Sequence, residues 1–314
     1  MKKKTVFITG GAGFIGHAVA RRFARGGWSV RTFDLLQPHR KIGTHITGTI
    51  MYPEELYAAM RNADAVVHLA AMLGVARTES ERLQCLAVNI SGTANVLEAA
   101  AKAHIKKIIF ASSSEVYGEP DKTPIQETDK VFPKSVYAVS KLAGEELVRA
   151  YHQTHGINFS IVRFFNVYGP GQVAEFVVPN FLRAALQGDS LPLNGDGTQV
   201  RSFCFVDDAA EGVFLAMEST KANGGTFNIG NDRASASLIE LARKVVSLRG
   251  KGKKIGIQFL KESESDRTRE REIQRRTADI TKARRILGYR PRISLDRGLA
   301  LTFTSGRVLP PRTS

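Results

Sequence analysis

Lys4-Thr5-Val6-Phe7-Ile8-Thr9-Gly10-Gly11-Ala12-Gly13-Phe14-Ile15-Gly16 reads as a short apolar strand that runs into a glycine-rich turn and then a helix. Gly10, Gly13 and Gly16 stand at G-x-x-G-x-x-G spacing, a variant of the dinucleotide fingerprint. The first glycine permits a tight turn, and the second lets the backbone approach a pyrophosphate. The third lets helix and strand pack closely, so that the phosphates sit at the positive end of the helix. A second apolar segment, 28–33, closes on Asp34, about 20 residues after the glycines, where an acidic side chain accepts hydrogen bonds from the adenosine ribose. An Asp there repels a 2′-phosphate and favours NAD over NADP, although Arg31, Arg40 and Lys41 leave some room for the phosphorylated cofactor.

The remaining segments fit a parallel sheet covered by helices on both faces, a Rossmann-type doubly wound α/β fold. Strands are predicted at 45–50, at 65–71 (a continuous apolar run, as for a strand buried on both faces), at 105–111 and at 159–163. Helices are predicted at 54–62, 81–104 and 135–155. From about Val167, glycine and proline punctuate shorter elements, with helices at 176–187 and 207–217 and an irregular, charged connection over 249–274. The tail 308–314 reads as frayed. This organisation predicts an NAD-binding domain over 1–166, joined by returning segments from about 198–230, and a smaller substrate-binding lobe over 167–314.

At 314 residues, 43% hydrophobic and 24% charged, the chain has the composition of a soluble globular protein. No apolar run approaches the roughly 18 residues that a membrane span needs. No signal peptide precedes the first strand, and the expected compartment is the cytoplasm. Cys85 and Cys204 are too isolated for a disulfide framework or a metal cluster, and no metal is predicted. The net charge of +15 suits either nucleic-acid binding or a solvated basic surface that lends some arginines to a small anionic substrate. The second is preferred, because no aromatic-studded basic motif accompanies the charge.

Tyr137-Ala138-Val139-Ser140-Lys141 places a phenol and an ammonium four residues apart on one helix face. A lysine close to a tyrosine stabilises the phenolate and makes it usable as a base. Alone, the pair is weak, since Y-x-x-x-K arises by chance in chains of this length. Ser112-Ser113-Ser114 follows a predicted strand at the sheet edge where a cofactor would lie, and a hydroxyl there is placed to share the substrate oxygen with Tyr137. Serines after strands are also ordinary turn residues.

These stretches together resemble the extended short-chain dehydrogenase/reductases, and within them the NAD-dependent nucleotide-sugar epimerase/dehydratase group of the UDP-glucose 4-epimerase kind. The resemblance rests on Gly10–Gly16, Asp34, His68-Leu69-Ala70-Ala71, Asn89-Ile90-Ser91-Gly92-Thr93, Ser112–Gly118 and the Tyr137/Lys141 pair. It continues through Arg163–Gly171, Arg201–Asp208 and Arg276–Ala283, and so covers nearly the whole chain. It implies Tyr137 as general base, Lys141 on the nicotinamide ribose and Ser113 as the catalytic hydroxyl, with Ser112 on the cofactor side. Phe14 and Ile15 correspond to residues whose backbone meets the pyrophosphate. Leu69, Ala70 and Ala71 match the cofactor-lining strand end, and Asn89 a cofactor-side polar position. Asn166 and Asn180 match substrate contacts, while Arg201 and Arg276 match arginines that clamp the substrate diphosphate, a role that suits bidentate guanidinium chemistry. In a basic protein, either arginine also reads as a plain surface charge.

Two positions depart from the pattern. Thr49 stands where most members carry an acidic residue against the adenine. Glu115 stands where simple 4-epimerases carry a small or neutral residue, and Ser114 replaces the aspartate of the 4,6-dehydratases. The Ser-Glu pairing resembles the nucleotide-glucuronate decarboxylases; a structural, hydrogen-bonded Glu115 is the other reading. The expected activity is C4 epimerisation of a nucleoside-diphosphate sugar, a UDP-sugar first, through a transient 4-keto sugar. Dehydration or decarboxylation through Glu115 is the alternative, and a non-catalytic NAD-binding protein the remaining one. The resemblance also implies a homodimer through the helices at 81–104 and 135–155, with no nucleic-acid or membrane partner.

Overall fold

A computed structural model describes residues 3–249, 255–260 and 272–308. The first strands in chain order are β1 (Thr5–Thr9), β2 (Ser29–Asp34), β3 (Thr44–Thr47), β4 (Ala65–His68), β5 (Lys107–Ser113) and β6 (Asn158–Phe164). With Gly225–Ile229 they form a seven-stranded sheet in the order Gly225–Ile229, β6, β5, β4, β1, β2, β3. Every pairing in it is parallel. The chain runs outward from β1 to β3 and then returns to β4 on the other side of β1, so the strand order reverses between β1 and β4. That reversal opens a crevice outside their carboxyl ends. This is the doubly wound Rossmann-type fold implied by the sequence.

Burial follows the arrangement. β4 is buried along its whole length, and β1 and β5 nearly so, because helices cover both faces. The helix Phe14–Arg25 (α1) begins at the glycine turn and buries Gly16, Val19, Ala20 and Phe23. One apolar cluster is continuous from Val6 and Ile109 in the sheet to Phe181, Leu193 and Leu299, across the boundary expected at residue 166. Among the described residues, no helix is long and apolar enough to cross a membrane.

Several elements differ from expectation, each for a local reason. The single helix expected over 81–104 is interrupted: Val75–Ser80 and Arg82–Leu86 lead into a wide π turn, Ala87–Ser91, before Gly92–Lys102. The swelling is centred on Asn89, whose amide brackets the backbone of Met72, with Met72 N donating to Oδ1 at 2.7 Å and Nδ2 donating to Met72 O at 3.0 Å. The strand expected at 105–111 lies two residues later, because the chain leaves the preceding helix through His104 at a positive φ of 55°. Ser112 and Ser113 are therefore the last two residues of β5 rather than a turn after it. Within 249–274, Ile257–Leu260 is a strand paired in parallel with Leu191–Asn194, so the reading of this stretch as wholly irregular is corrected; 250–254 and 261–271 lie outside the described residues, as do residues 309–314 of the tail. The helix Leu238–Leu248 was not anticipated, although its capping box, Ser237 with Glu240, is legible in the sequence.

Candidate active site

The glycine turn is built as close-packed backbone. Gly10 has φ 69°, and a Cβ there would stand 2.7 Å from Ala70 N. A Cβ on Gly16 would stand 2.0 Å from the Gly10 carbonyl oxygen, so only glycine lets α1 approach β1 this closely. Gly13 caps α1 without a side-chain hydrogen bond, which leaves the amides of the first turn open to an anion. Asp34 closes β2 beside this turn: its Oδ2 accepts from Ala12 N at 3.0 Å and its Oδ1 from Leu36 N at 3.1 Å. The carboxylate is thus fixed against the glycine turn itself. Thr9 joins the two strands that flank the crevice, accepting from the amides of Leu69 and Ala70 at 3.2 Å each. This cradle fits a dinucleotide. Thr49 also lines the crevice, and its hydroxyl accepts from Met51 N at 3.2 Å as a local turn contact.

Period-two alternation along β5 sends Ser112 inward and Ser113 toward the cleft. Ser113 caps the short turn Ser114–Tyr117, its Oγ accepting from Glu115 N at 3.2 Å. Opposite stands the helix Val136–His155, capped by Ser135, whose Oγ accepts from Ala138 N at 3.1 Å. Tyr137 lies in the first turn of this helix and shares a hydrogen bond with Ser113. Burial is the main influence raising the phenol pKa, followed by the charges of Glu115 and Cys85; the Ser113 hydrogen bond and the Arg276 charge lower it. Lys141 is buried, with its Nζ 5.9 Å from the centre of the Tyr137 ring. Desolvation brings its pKa down to about 8, against upward pulls from Cys85 and Glu145.

Arg276 reaches the same point from the far end of the chain. Its Nη2 donates to Asn166 Oδ1 at 3.0 Å, and its Nη1 stands 3.3 Å from Glu115 Oε1. Asn166 is held in turn by donating to Ser202 O at 3.0 Å. Ser135 Oγ lies 3.4 Å from the other Glu115 oxygen. Arg201 is tied to Glu272 at 2.7 Å and donates to the carbonyls of Val200 and Gln274. Asn180 accepts from Arg183 at 3.3 Å.

One cleft is lined by every candidate residue named from the sequence except Asn89. Asn89 lies behind the wall, donating to Ser140 Oγ at 2.9 Å as well as bracketing Met72. Sequence reasoning passed over Glu145, Arg163 and Tyr117, which stand directly behind Ser113 and Tyr137. Their signals were present: an acidic residue four after Lys141, and an arginine within an apolar strand.

A family model described as "NAD dependent epimerase/dehydratase family" matches residues 6–230. Over 96% of its length the chain is 36% identical to 97% of the UDP-N-acetyl-alpha-D-glucosaminuronate decarboxylase of Bacillus cytotoxicus. It superposes with a TM-score of 0.88 on the UDP-glucose 4-epimerase of Thermotoga maritima solved with UDP-glucose, at 30% identity over 96% of this chain and 98% of that one. With a TM-score of 0.87 and 30% identity it matches the UDP-glucuronic acid 4-epimerase of Bacillus cereus solved with UDP-glucuronic acid and NAD, over 96% of this chain and 98% of that one.

Proposed function

The chain belongs to the NAD-dependent epimerase/dehydratase family, and from that premise we propose that it oxidises C4 of a UDP-linked uronic acid and then releases the C6 carboxylate as carbon dioxide. The observation that carries this reading is the Glu115–Arg276 pair, set in the cleft wall beside Ser113 and Tyr137. Inversion at C4 has no use for Glu115 and would leave Arg276 to the diphosphate, as the resemblance implies; a substrate carboxylate has a use for both.

The cradle at Gly10–Gly16 and Asp34 would hold NAD, which when bound takes up the C4 hydrogen with its electron pair and returns it later. Tyr137 removes the C4 hydroxyl proton while Ser113 shares the same oxygen. Arg276 binds the C6 carboxylate, exchanging Glu115 for the substrate. The displaced Glu115 then faces a like charge and takes up a proton. With a ketone at C4 the sugar is a β-keto acid: the C5–C6 bond breaks, carbon dioxide leaves, and its electron pair moves onto the C4 oxygen held by Ser113 and Tyr137. Glu115 returns its proton to C5. Arg201 and Asn180, further along the cleft, are assigned to the diphosphate and the nucleoside.

Inversion at C4 is the second reading, favoured by the intact Ser113, Tyr137 and Lys141 set and by the likeness to two 4-epimerases. NMR of the purified, NAD-loaded protein with UDP-glucuronate, UDP-N-acetylglucosaminuronate and UDP-glucose separates the two. A UDP-pentose with carbon dioxide supports decarboxylation, and a C4-inverted sugar of unchanged mass replaces it with epimerisation. A homodimer belongs to the same reading: Leu83 and Val139, exposed apolar side chains on the helices expected to pair, are what it would cover, and sedimentation tests it.

A further inference from the structure

The Val136–His155 helix carries Tyr137, Lys141 and Glu145 at intervals of four, so the three side chains share one face. Glu145 is 0% exposed. Its Oε1 accepts from Ser112 Oγ at 2.6 Å and from Arg163 Nε at 2.8 Å, while its Oε2 accepts from Arg163 Nη2 at 2.7 Å and from Arg149 at 3.4 Å. Ser112 and Arg163 are cross-strand partners on β5 and β6, and Ser113 follows Ser112. One carboxylate therefore pins the helix that bears Tyr137 and Lys141 to the strand end that bears Ser113.

The chain of contacts goes on. The Arg163 guanidinium lies 4.7 Å from the Tyr117 ring centre, on the turn that carries Glu115. Tyr117 donates to Asn228 Oδ1 at 2.7 Å, and Asn228 Nδ2 donates to Ile125 O at 2.9 Å and to Asp279 O at 3.2 Å. Ile125 is bonded to Thr277 and Asp279, next to Arg276. A buried ion pair is often no more stabilising than apolar side chains of equal volume, so stability alone is a weak account of it. Its hydrogen bonds supply directional registration.

We infer that Glu145 is a positioning residue for the reaction: by holding Ser112 and Arg163 together it sets Tyr137 and Lys141 against Ser113, and through Tyr117 it steadies the turn of Glu115. The inference rests on the reading of the cleft as a C4-oxidising site. The groups around Lys141 are Tyr137 and Glu145 on its own helix, His68 on β4 and Cys85 on the Arg82–Leu86 helix. Glu145 supports the charged lysine, so loss of its charge makes Lys141 release its proton at lower pH.

The test compares Glu145→Gln and Glu145→Asp with the parent in NAD-loaded enzyme, reading kcat, KM, the pH profile and the melting temperature. For Glu145→Gln, kcat falls about tenfold or more with KM nearly unchanged, and the basic limb of the kcat profile moves down by about half a pH unit. Glu145→Asp keeps the charge but loses reach, so kcat falls without a move of that limb. A fall in kcat that only tracks loss of folded protein, with the parental pH profile, overturns the inference. If Glu145→Gln does not fold, Ser112→Ala removes the 2.6 Å bond alone: lower kcat at unchanged KM upholds the inference, and parental kcat overturns it. If the parent turns over no UDP-sugar, the functional reading has failed. The Tyr137 phenol is then titrated by ultraviolet difference against Tyr137→Phe: a shift in Glu145→Gln upholds positioning, and an unmoved titration overturns it.

Discussion

Replacing Glu115 by Gln separates the two halves of the proposed reaction. At 3.3 Å, with Arg276 6% and Glu115 19% exposed, the pair attracts by about 5 kcal/mol at an effective dielectric constant of about 20. Desolvation offsets part of this, and breaking such a pair costs about 3 kcal/mol, the lower end of the range for buried pairs, because Glu115 keeps some contact with solvent. In Glu115→Gln, Arg276 no longer has to leave an anionic partner for a substrate carboxylate, so KM for a UDP-uronate falls by about tenfold or more. The step after carbon dioxide release, protonation of C5, loses its donor, and pentose formation slows by about 10²–10⁴-fold. The phenol shifts as well: Glu115 is among the charges that raise the Tyr137 pKa, so its removal lets the phenolate form at lower pH and moves the acid limb of C4 oxidation downward. The assay follows the absorbance of the reduced nicotinamide together with NMR of the sugar. Reduced cofactor and a 4-keto sugar accumulate in Glu115→Gln but not in the parent. Pentose formation within about threefold of the parent, at unchanged KM, refutes the assignment and returns Glu115 to a structural role.

Tyr137→Phe removes the proton acceptor while leaving the ring in place, so turnover falls by about 10²–10⁴-fold with NAD content unchanged; parental turnover would transfer the base role elsewhere. Gly16→Ala drives a methyl group against the Gly10 carbonyl oxygen, 2.0 Å away and part of the backbone, so the turn shifts by about 1 Å and cofactor retention drops by about 10²-fold, as cofactor content after gel filtration shows. His68 is buried between Thr9 and Thr93, and desolvation holds its pKa near about 3. The unfolded chain, with the ordinary value of 6.5, therefore binds more protons between pH 6.5 and about 3, and stability is lost as pH falls through that window. Between pH 6.5 and 5 the loss is about 2 kcal/mol, measured by urea unfolding as the part of the acid sensitivity that disappears in His68→Gln.

The cofactor side of the cleft was legible because its requirements are strict. Glycine at Gly10 and Gly16 is dictated by backbone contacts that no side chain survives, and Asp34 follows from the length of one strand-helix-strand unit. Tyr137 and Lys141 were legible because helical spacing alone puts them on one face. Glu145 continues the same spacing, yet a single acidic residue in a helix ordinarily reads as solvated; its burial depends on Arg163, whose meeting with it on the following strand helical periodicity does not show. Asn89 illustrates the converse case. Its motif was recognised, but bracketing Met72 from within a π turn is a tertiary arrangement without a local signature. The strands that bear Arg201 and Arg276 are two or three residues long, too short for periodicity to show. The meeting of Glu115 with Arg276 joins distant parts of the chain through a register that sequence reading did not supply.

That meeting also sets an order of assembly during synthesis. The glycine turn, Ser113 and Tyr137 leave the ribosome well before Arg276, which reaches the cleft through the bonding of Ile125 to Thr277 and Asp279. Domains fold as they emerge, N-terminal parts first, so a nascent chain has the residues of the dinucleotide cradle before it can grip an anionic sugar. A chain stalled short of Arg276 would carry an oxidising centre whose substrate wall is incomplete. The segment that carries Arg276 thus completes the cleft: the anion-binding wall is present only on chains translated past it.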